Sequence, residues 1–356
     1  KDQLGKEFIY FAQIGDGVTD AGTFRGAYGE NNIFKIVRYF NRVEFVKQNV
    51  SHYFDPSNPL SRSADANISP GIMASAKIEA EDAEKGTILI KADNLFLKET
   101  FSQIKNPPFP GESPMAFRLG NLDSEKTKVL AVRSYEKNTD LAVEYVYNNP
   151  SVLNGGSSAV TDGRNVSIKV FHSLIELPDN GYEPRFDDPR VGFFTTEVTD
   201  MTSASATPFR DLIHRWDLRK KDPSAAISEP VDPIVFWIEN STPMEWRGTI
   251  MDAVLEWNKA FEKAGFKNAV QVKIQPDDAD WDAGDIRYNV LRWTSSPNPP
   301  FGGYGPSFVN PKTGEILGAD IMLEYIFLTN RVKLENVFNV EGESTQGHAA
   351  HEGCDA

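Results

Sequence analysis

The chain is short of most features that would betray a function at once. Its 356 residues hold a single cysteine, Cys354, so no internal disulfide can form. That scarcity suits a cytosolic protein, and equally a bacterial exported one that does without disulfides. No run reaches the roughly 20 apolar residues that cross a bilayer. The longest, Ile321 to Leu328, is broken by Glu324 and has the length of a strand. Positive charge is in deficit, with a formal net charge of -14, which argues against nucleic acid and anionic membrane surfaces as partners. There is no phosphate-cradling GxxxxGK loop and no GxSxG nucleophile elbow. The first residue is Lys1, with no basic, apolar leader after it. The expectation is a processed or excised piece whose export signal is gone.

What is present is globular. Hydrophobic residues make up 40% and charged residues 25%, which excludes global disorder, and the length suffices for two cores. Residues 1-180 read as a β-rich domain. Glu7 to Ile14 is an apolar run of strand length, and Phe34 to Tyr39 and Val43 to Gln48 alternate around Asn41-Arg42 like a hairpin. Thr87 to Ala92, Val129 to Tyr135, Leu141 to Tyr147 and Val166 to Leu177 continue the pattern, and Asn94 to Ile104 alone hints at a helix. The expectation is a sandwich or a strongly curved sheet. Residues 181-232 are punctuated by proline and read as an extended connector, with a strand at Val191 to Val198 and a short helix near Pro208 to His214.

The block 233-328 is the clearest. Pro233 to Glu239 has the apolar continuity of a buried strand, and Thr242-Pro243-Met244-Glu245 reads as a capping box with proline at the first helical position. Ile250, Ala253, Val254, Trp257 and Phe261 recur at helical spacing, and Gly265 supplies the stop. Strands are expected at Val270 to Gln275, Asp285 to Trp293 and Ala319 to Phe327, with a hairpin turning at Asn310 to Gly314. The predicted class is therefore α+β: a β-rich domain followed by a twisted mixed sheet with one long helix. Residues 329-356 read as a tail.

Four stretches carry a family resemblance: FDDPRVGFF (Phe186 to Phe194), DPIVFWIENSTPMEWRGTIMDAVLEWNKAFEKAGF (Asp232 to Phe266), DIRYNVLRW (Asp285 to Trp293) and GGYGPSFVNPKTGEILGADIMLEY (Gly302 to Tyr325). They resemble a family of large, secreted bacterial zinc-dependent metalloproteases, metzincin-like proteins with an extra β-rich domain ahead of the peptidase. The resemblance is most specific over 182-328. It implies that 233-328 is the upper, substrate-binding subdomain, with an edge strand above the cleft that pairs with an extended peptide or protein substrate. On that analogy Gly303, Tyr304, Gly305, Pro306 and Ser307 line the substrate side. The plain alternative is a surface loop that is glycine-rich because it turns tightly. A secreted, periplasmic or cell-surface location is implied as well.

The departure from the family concerns the chemistry. Zinc hydrolysis needs about three protein ligands, an open water position and a general base. None of the five histidines stands in HExxH. His348 and His351 are three apart but Glu352 follows them, in a tail of small and polar residues that also holds Cys354. A flexible tail, or adventitious metal capture, is the reading there. No catalytic residue is assigned, and zinc is expected only with further polypeptide, the remainder of the same chain being the implied partner. The run Asp277, Asp278, Asp280, Asp282, Asp285 suggests a calcium loop, but Gly284 is displaced and no glutamate closes the site; a solvated acidic turn is the simpler reading. Asp179, Asp187 and Asp188 around Arg185 and Arg190 read as buried ion pairs that pin the connector. The expected function is the front part of a zinc metallopeptidase, inactive by itself. Two alternatives stay open: a non-catalytic β-rich binding protein on a peptidase-like scaffold, and a folding or inhibitory segment for a separate catalytic chain.

Overall fold

The computed structural model describes residues 1-297, 299 and 301-339, giving only the backbone of 328, 331 and 335-339. The tail residues His348, His351, Glu352 and Cys354 lie outside the described residues. Strands dominate over helices among the described residues. The chain opens with β1 (Glu7–Asp16), β2 (Tyr28–Tyr39), β3 (Arg42–Lys47), β4 (His52–Tyr53), β5 (Gly71–Asp82) and β6 (Thr87–Ile90). One helical turn, α1 (Asp93–Phe96), then precedes β7 (Asn121–Leu122), β8 (Lys128–Ser134), β9 (Asn138–Asn148) and β10 (Asn165–Glu176). All but β4 join one antiparallel sheet in the order β6-β5-β3-β2-β1-β10-β9-β7, with β8 also on β9. The helix expected over Asn94 to Ile104 shrinks to that single turn. Phe101 and Ile104 instead lie in irregular chain over the sheet, where their side chains are needed as core.

The strand β1 explains its own sequence. A strand with only one covered face alternates apolar and polar residues, whereas one covered on both faces reads as continuously apolar. Tyr10, Ala12 and Ile14 join Phe34, Val143, Tyr145 and Val170 on one face. Ile9 and Phe11 join Ile33, Ile175 and Phe308 on the other.

The connector is irregular apart from β11 (Thr195–Thr196), β12 (Thr199–Asp200) and β13 (Leu212–Ile213). β11 pairs with β13, and β12 runs parallel to β4, the one early strand outside the first sheet. Two expectations fail here. The helix near Pro208 to His214 is replaced by β13, because Arg210 and Ile213 spend their N–H groups on Val198 and Arg185 carbonyls rather than on a helical turn. The Asp188–Arg190 pair is local and exposed rather than buried.

The last block contains β14 (Ile234–Ile238), α2 (Met244–Leu255), α3 (Asn258–Lys263), β15 (Val270–Ile274), β16 (Asn289–Thr294), β17 (Gly303–Tyr304), β18 (Ser307–Val309), β19 (Ile316–Ala319), β20 (Ile321–Glu324) and α4 (Tyr325–Asn339). Its sheet has the order β15-β14-β16-β20-β17; four strands are parallel and β17 alone is antiparallel. The hairpin β18-β19 stands apart from it. The capping box does not form, since Pro243 stays extended (φ -55°, ψ 138°) and no side chain caps the helix. Arg247 instead reaches back to the carbonyls of Thr242 (2.9 Å) and Asn240 (2.7 Å). The long helix is also tightened at Glu256-Trp257, where Trp257 N–H bonds to Val254 and Lys259 N–H to Glu256. Of its expected inner face, Ile250, Val254 and Phe261 are half-buried, whereas Ala253 and Trp257 are exposed. Gly265 does end it, at φ 89°. The last strand stops at Glu324 rather than Phe327. The buried Glu324 carboxylate takes donors from Thr294, Ser296 and Ile326, and so starts α4 instead.

Candidate functional site

A cleft rim begins with the edge strand. β17 pairs with β20, Gly303 opposite Leu323 and Tyr304 opposite Met322, and among the described residues no strand pairs with its other side. Glu324 N–H donates to the Gly302 carbonyl (3.1 Å). In an antiparallel pair, bonded and non-bonded residues alternate. Gly303, one residue further on, therefore directs its N–H and C=O outward, away from β20. A Cβ at Gly303 would meet only the Met322 carbonyl, at 3.5 Å, and at Gly305 only ordinary contacts with Ile321. Neither glycine has a positive φ. A left-handed backbone therefore does not explain these two glycines. The glycines leave a bare backbone edge.

The other residues of the segment diverge. Tyr304 lies in an aromatic trio with Phe24 (5.3 Å) and Phe301 (5.7 Å). Pro306 turns the chain out of the sheet, and Ser307 enters β18, whose Phe308 is buried against Phe11 (4.4 Å). Phe24 comes from the first part of the chain, some 280 residues away from its partners, and nothing in its own surroundings marks it in the sequence.

Behind the edge lies a buried polar seam between the two sheets. Asp320 receives the Val290 N–H (3.0 Å) and the Gln13 side-chain amide (3.0 Å). Burial pushes its carboxyl up to about 6, against the opposing pull of Arg292. Arg292 is 5% exposed and stands 3.6 Å from Glu239, with Nε and Nη1 lacking hydrogen-bond partners among the described residues. Asp140 is likewise pushed up to about 6, first by burial and further by Asp285 and Asp282.

The acidic run sits beside this seam. Asp277, Asp278 and Asp280 are exposed. Asp282 bonds Arg133 (2.7 Å), the buried Asp285 holds Arg287 (2.6 Å), and Trp281 anchors the loop by stacking on Tyr288 at 3.8 Å. Three histidines are described, and they lie apart. His52 is exposed, His214 bonds Thr196, and His172 is buried between the hydroxyls of Tyr10 (2.7 Å) and Tyr145 (2.9 Å). Among the described residues no three His, Cys, Asp or Glu side chains converge to hold a metal ion. No described helix is long and apolar enough to cross a membrane.

No curated protein and no solved structure matches this chain. One family does match, over residues 26–221, from just ahead of β2 into the connector. That is more than half of the 356 residues, and the chain belongs to this family, described as a domain of unknown function, DUF5117.

Proposed function

We propose that the chain is the front part of a bacterial, exported zinc-dependent metallopeptidase, supplying an accessory β-rich domain and the upper rim of a peptide-binding cleft. The observation that carries the reading is the sheet order β15-β14-β16-β20-β17, with one antiparallel strand on an otherwise parallel sheet. It agrees with the metzincin-like resemblance of the same residues. Gly303 in that strand offers one outward N–H and one outward C=O to an extended peptide. The exposed Trp246 and Trp257 on the crossover helices add support, since apolar surface of this kind calls for more polypeptide against it.

The described residues give zinc no ligand set, so their share of the reaction is binding and orientation. Zinc, held elsewhere in the complete protein, would supply an activated water. The test is chelator-sensitive peptide cleavage by the full-length gene product, with Gly303→Pro as the probe of the edge. Proline removes the outward donor while leaving the Tyr304–Met322 pairing intact. Loss of that single main-chain bond should lower kcat/KM by about tenfold, with the melting temperature unchanged. A full-length product without such cleavage would sink the reading. A Gly303→Pro enzyme of full activity would sink the role of the edge alone.

A further inference from the structure

One pocket shares no lining residue with the edge segment Gly303 to Ser307. Its volume is about 340 Å³, and it opens where β4, the connector and the β18-β19 turn meet. Arg210 stands at its centre. The guanidinium carbon lies 4.1 Å from the ring centroid of Tyr53 and 4.1 Å from that of Phe186. The guanidinium is thus flanked by two aromatic rings at stacking distance, and its N–H donors remain for a partner. Among the described residues no side chain or carbonyl bonds to those donors. The nearby carboxylates are committed elsewhere, Asp200 to Thr202 and Asp55 to Ser57.

The remaining walls share the same character. His52 and Lys312 also line the pocket, and no acidic residue does, in a chain of net charge -14. Lys312 is paired with Glu7, and His52 is oriented by Asn49 through Nδ1 (3.1 Å), leaving Nε2 free. The floor is apolar, formed by the buried Val198 and Leu212.

We propose that this pocket binds a small organic carboxylate, its planar carboxylate taken edge-on by Arg210 and its apolar body laid over Val198 and Leu212. A guanidinium with free N–H donors matches the two oxygens of a carboxylate, as a fork matches a fork. The volume falls at the lower end of that of small-ligand sites. The proposal does not rest on the peptidase reading.

The test is titration of the purified chain, followed by heteronuclear NMR, with three probes: benzoate, its neutral isostere benzamide, and inorganic phosphate. Saturable benzoate shifts confined to the pocket, with benzamide at least about tenfold weaker, are expected, since charge-assisted bonds to the fork carry the difference. Arg210→Lys keeps the charge and the stacking stem but not the fork, and should weaken benzoate by about tenfold. Should that variant fail to fold, His52→Glu, at an exposed position, sets a like charge on the pocket wall and should weaken benzoate about tenfold without affecting the fold. Equal binding of benzoate and benzamide, or phosphate binding tighter than benzoate, would overturn the proposal. So would unchanged benzoate affinity in a folded Arg210→Lys protein, which would leave Arg210 as a strut between Tyr53 and Phe186.

Discussion

His172 shows how a single buried residue is fixed by its partners. The Tyr145 hydroxyl donates to the Phe96 carbonyl (2.7 Å), so it accepts from His172 Nε2–H, and Nδ1 accepts from Tyr10. The ring is neutral, its pKa lowered by burial to about 3. His172→Phe leaves two tyrosine hydroxyls short of a partner and should cost about 2 to 4 kcal/mol in urea unfolding. The same residues set a pH dependence. Below its ordinary value of 6.5 the unfolded His172 takes up a proton that the folded one refuses, so its contribution falls as pH falls from 6.5 toward 3. Asp140 and Asp320, raised from 3.8 to about 6, act oppositely: their stabilisation is full below 3.8 and is lost as pH rises through 6. At about 1.4 kcal/mol per pH unit for each group, the terms nearly cancel. Wild type should gain less than about 1 kcal/mol between about pH 7.5 and about pH 5. Asp320→Asn removes one of the two gains and should make the protein less stable at the lower pH. Denaturant melts at the two values decide it, and an unchanged sign would show that Asp320 does not titrate in that window. None of this was legible in the sequence, because Tyr10 and His172 are 162 residues apart and a lone histidine in a strand announces no partner.

At the scale of elements, legibility followed the number of covered faces. The strands β1, β9 and β10 stood out as apolar or alternating runs because they are central and packed. β5 went unread, for its Gly71–Asp82 stretch is polar or small and mostly exposed, held by backbone pairing to β3 and β6. The end of β20 was misplaced for a different reason. Tyr325 to Phe327 are as apolar as a strand, and the helix start is decided by where the Glu324 carboxylate finds its donors. The edge segment from Gly303 to Ser307 came from family resemblance, and its composition alone suggested only a turn. The hairpin at Asn310 to Gly314 was plain from its turn formers, and its tightest point is testable. Gly314 has φ 75°, and a Cβ there would lie 2.5 Å from the Ile213 carbonyl. Gly314→Ala combines left-handed strain with a backbone clash and should cost about 2 kcal/mol or more. A melting temperature equal to wild type would show that the connector gives way there freely.

For the whole molecule, the first sheet and the β18-β19 hairpin share a core that neither owns. Phe308 fills the second face of β1 beside Ile9, Ile33 and Ile175. Asn31 bonds the Val309 carbonyl, and Gln13 bonds Asp320. The stretch matched by the family, 26–221, omits β1, which lies between β2 and β10 in the sheet. A fragment with those bounds would have a gap in mid-sheet, and residues 1–232 would keep the sheet but bare its second face. The shorter fragment should therefore fail to fold cooperatively. The longer one should bind ANS and self-associate, as sedimentation and dye fluorescence would reveal. A soluble, cooperatively melting 26–221 fragment would mean that β1 is an accessory to the sheet rather than its centre.

The position of β1 also sets a timetable for synthesis. Phe8 emerges early, yet it pairs with Glu176, and Phe11, in the same strand, packs on Phe308 as well as on Tyr28. At about 5 to 20 residues per second, this apolar strand waits about ten to thirty seconds for its first late partner and longer for its second. Throughout that interval β1 has only β2 beside it, and its other edge and its second face stand open to neighbouring nascent chains.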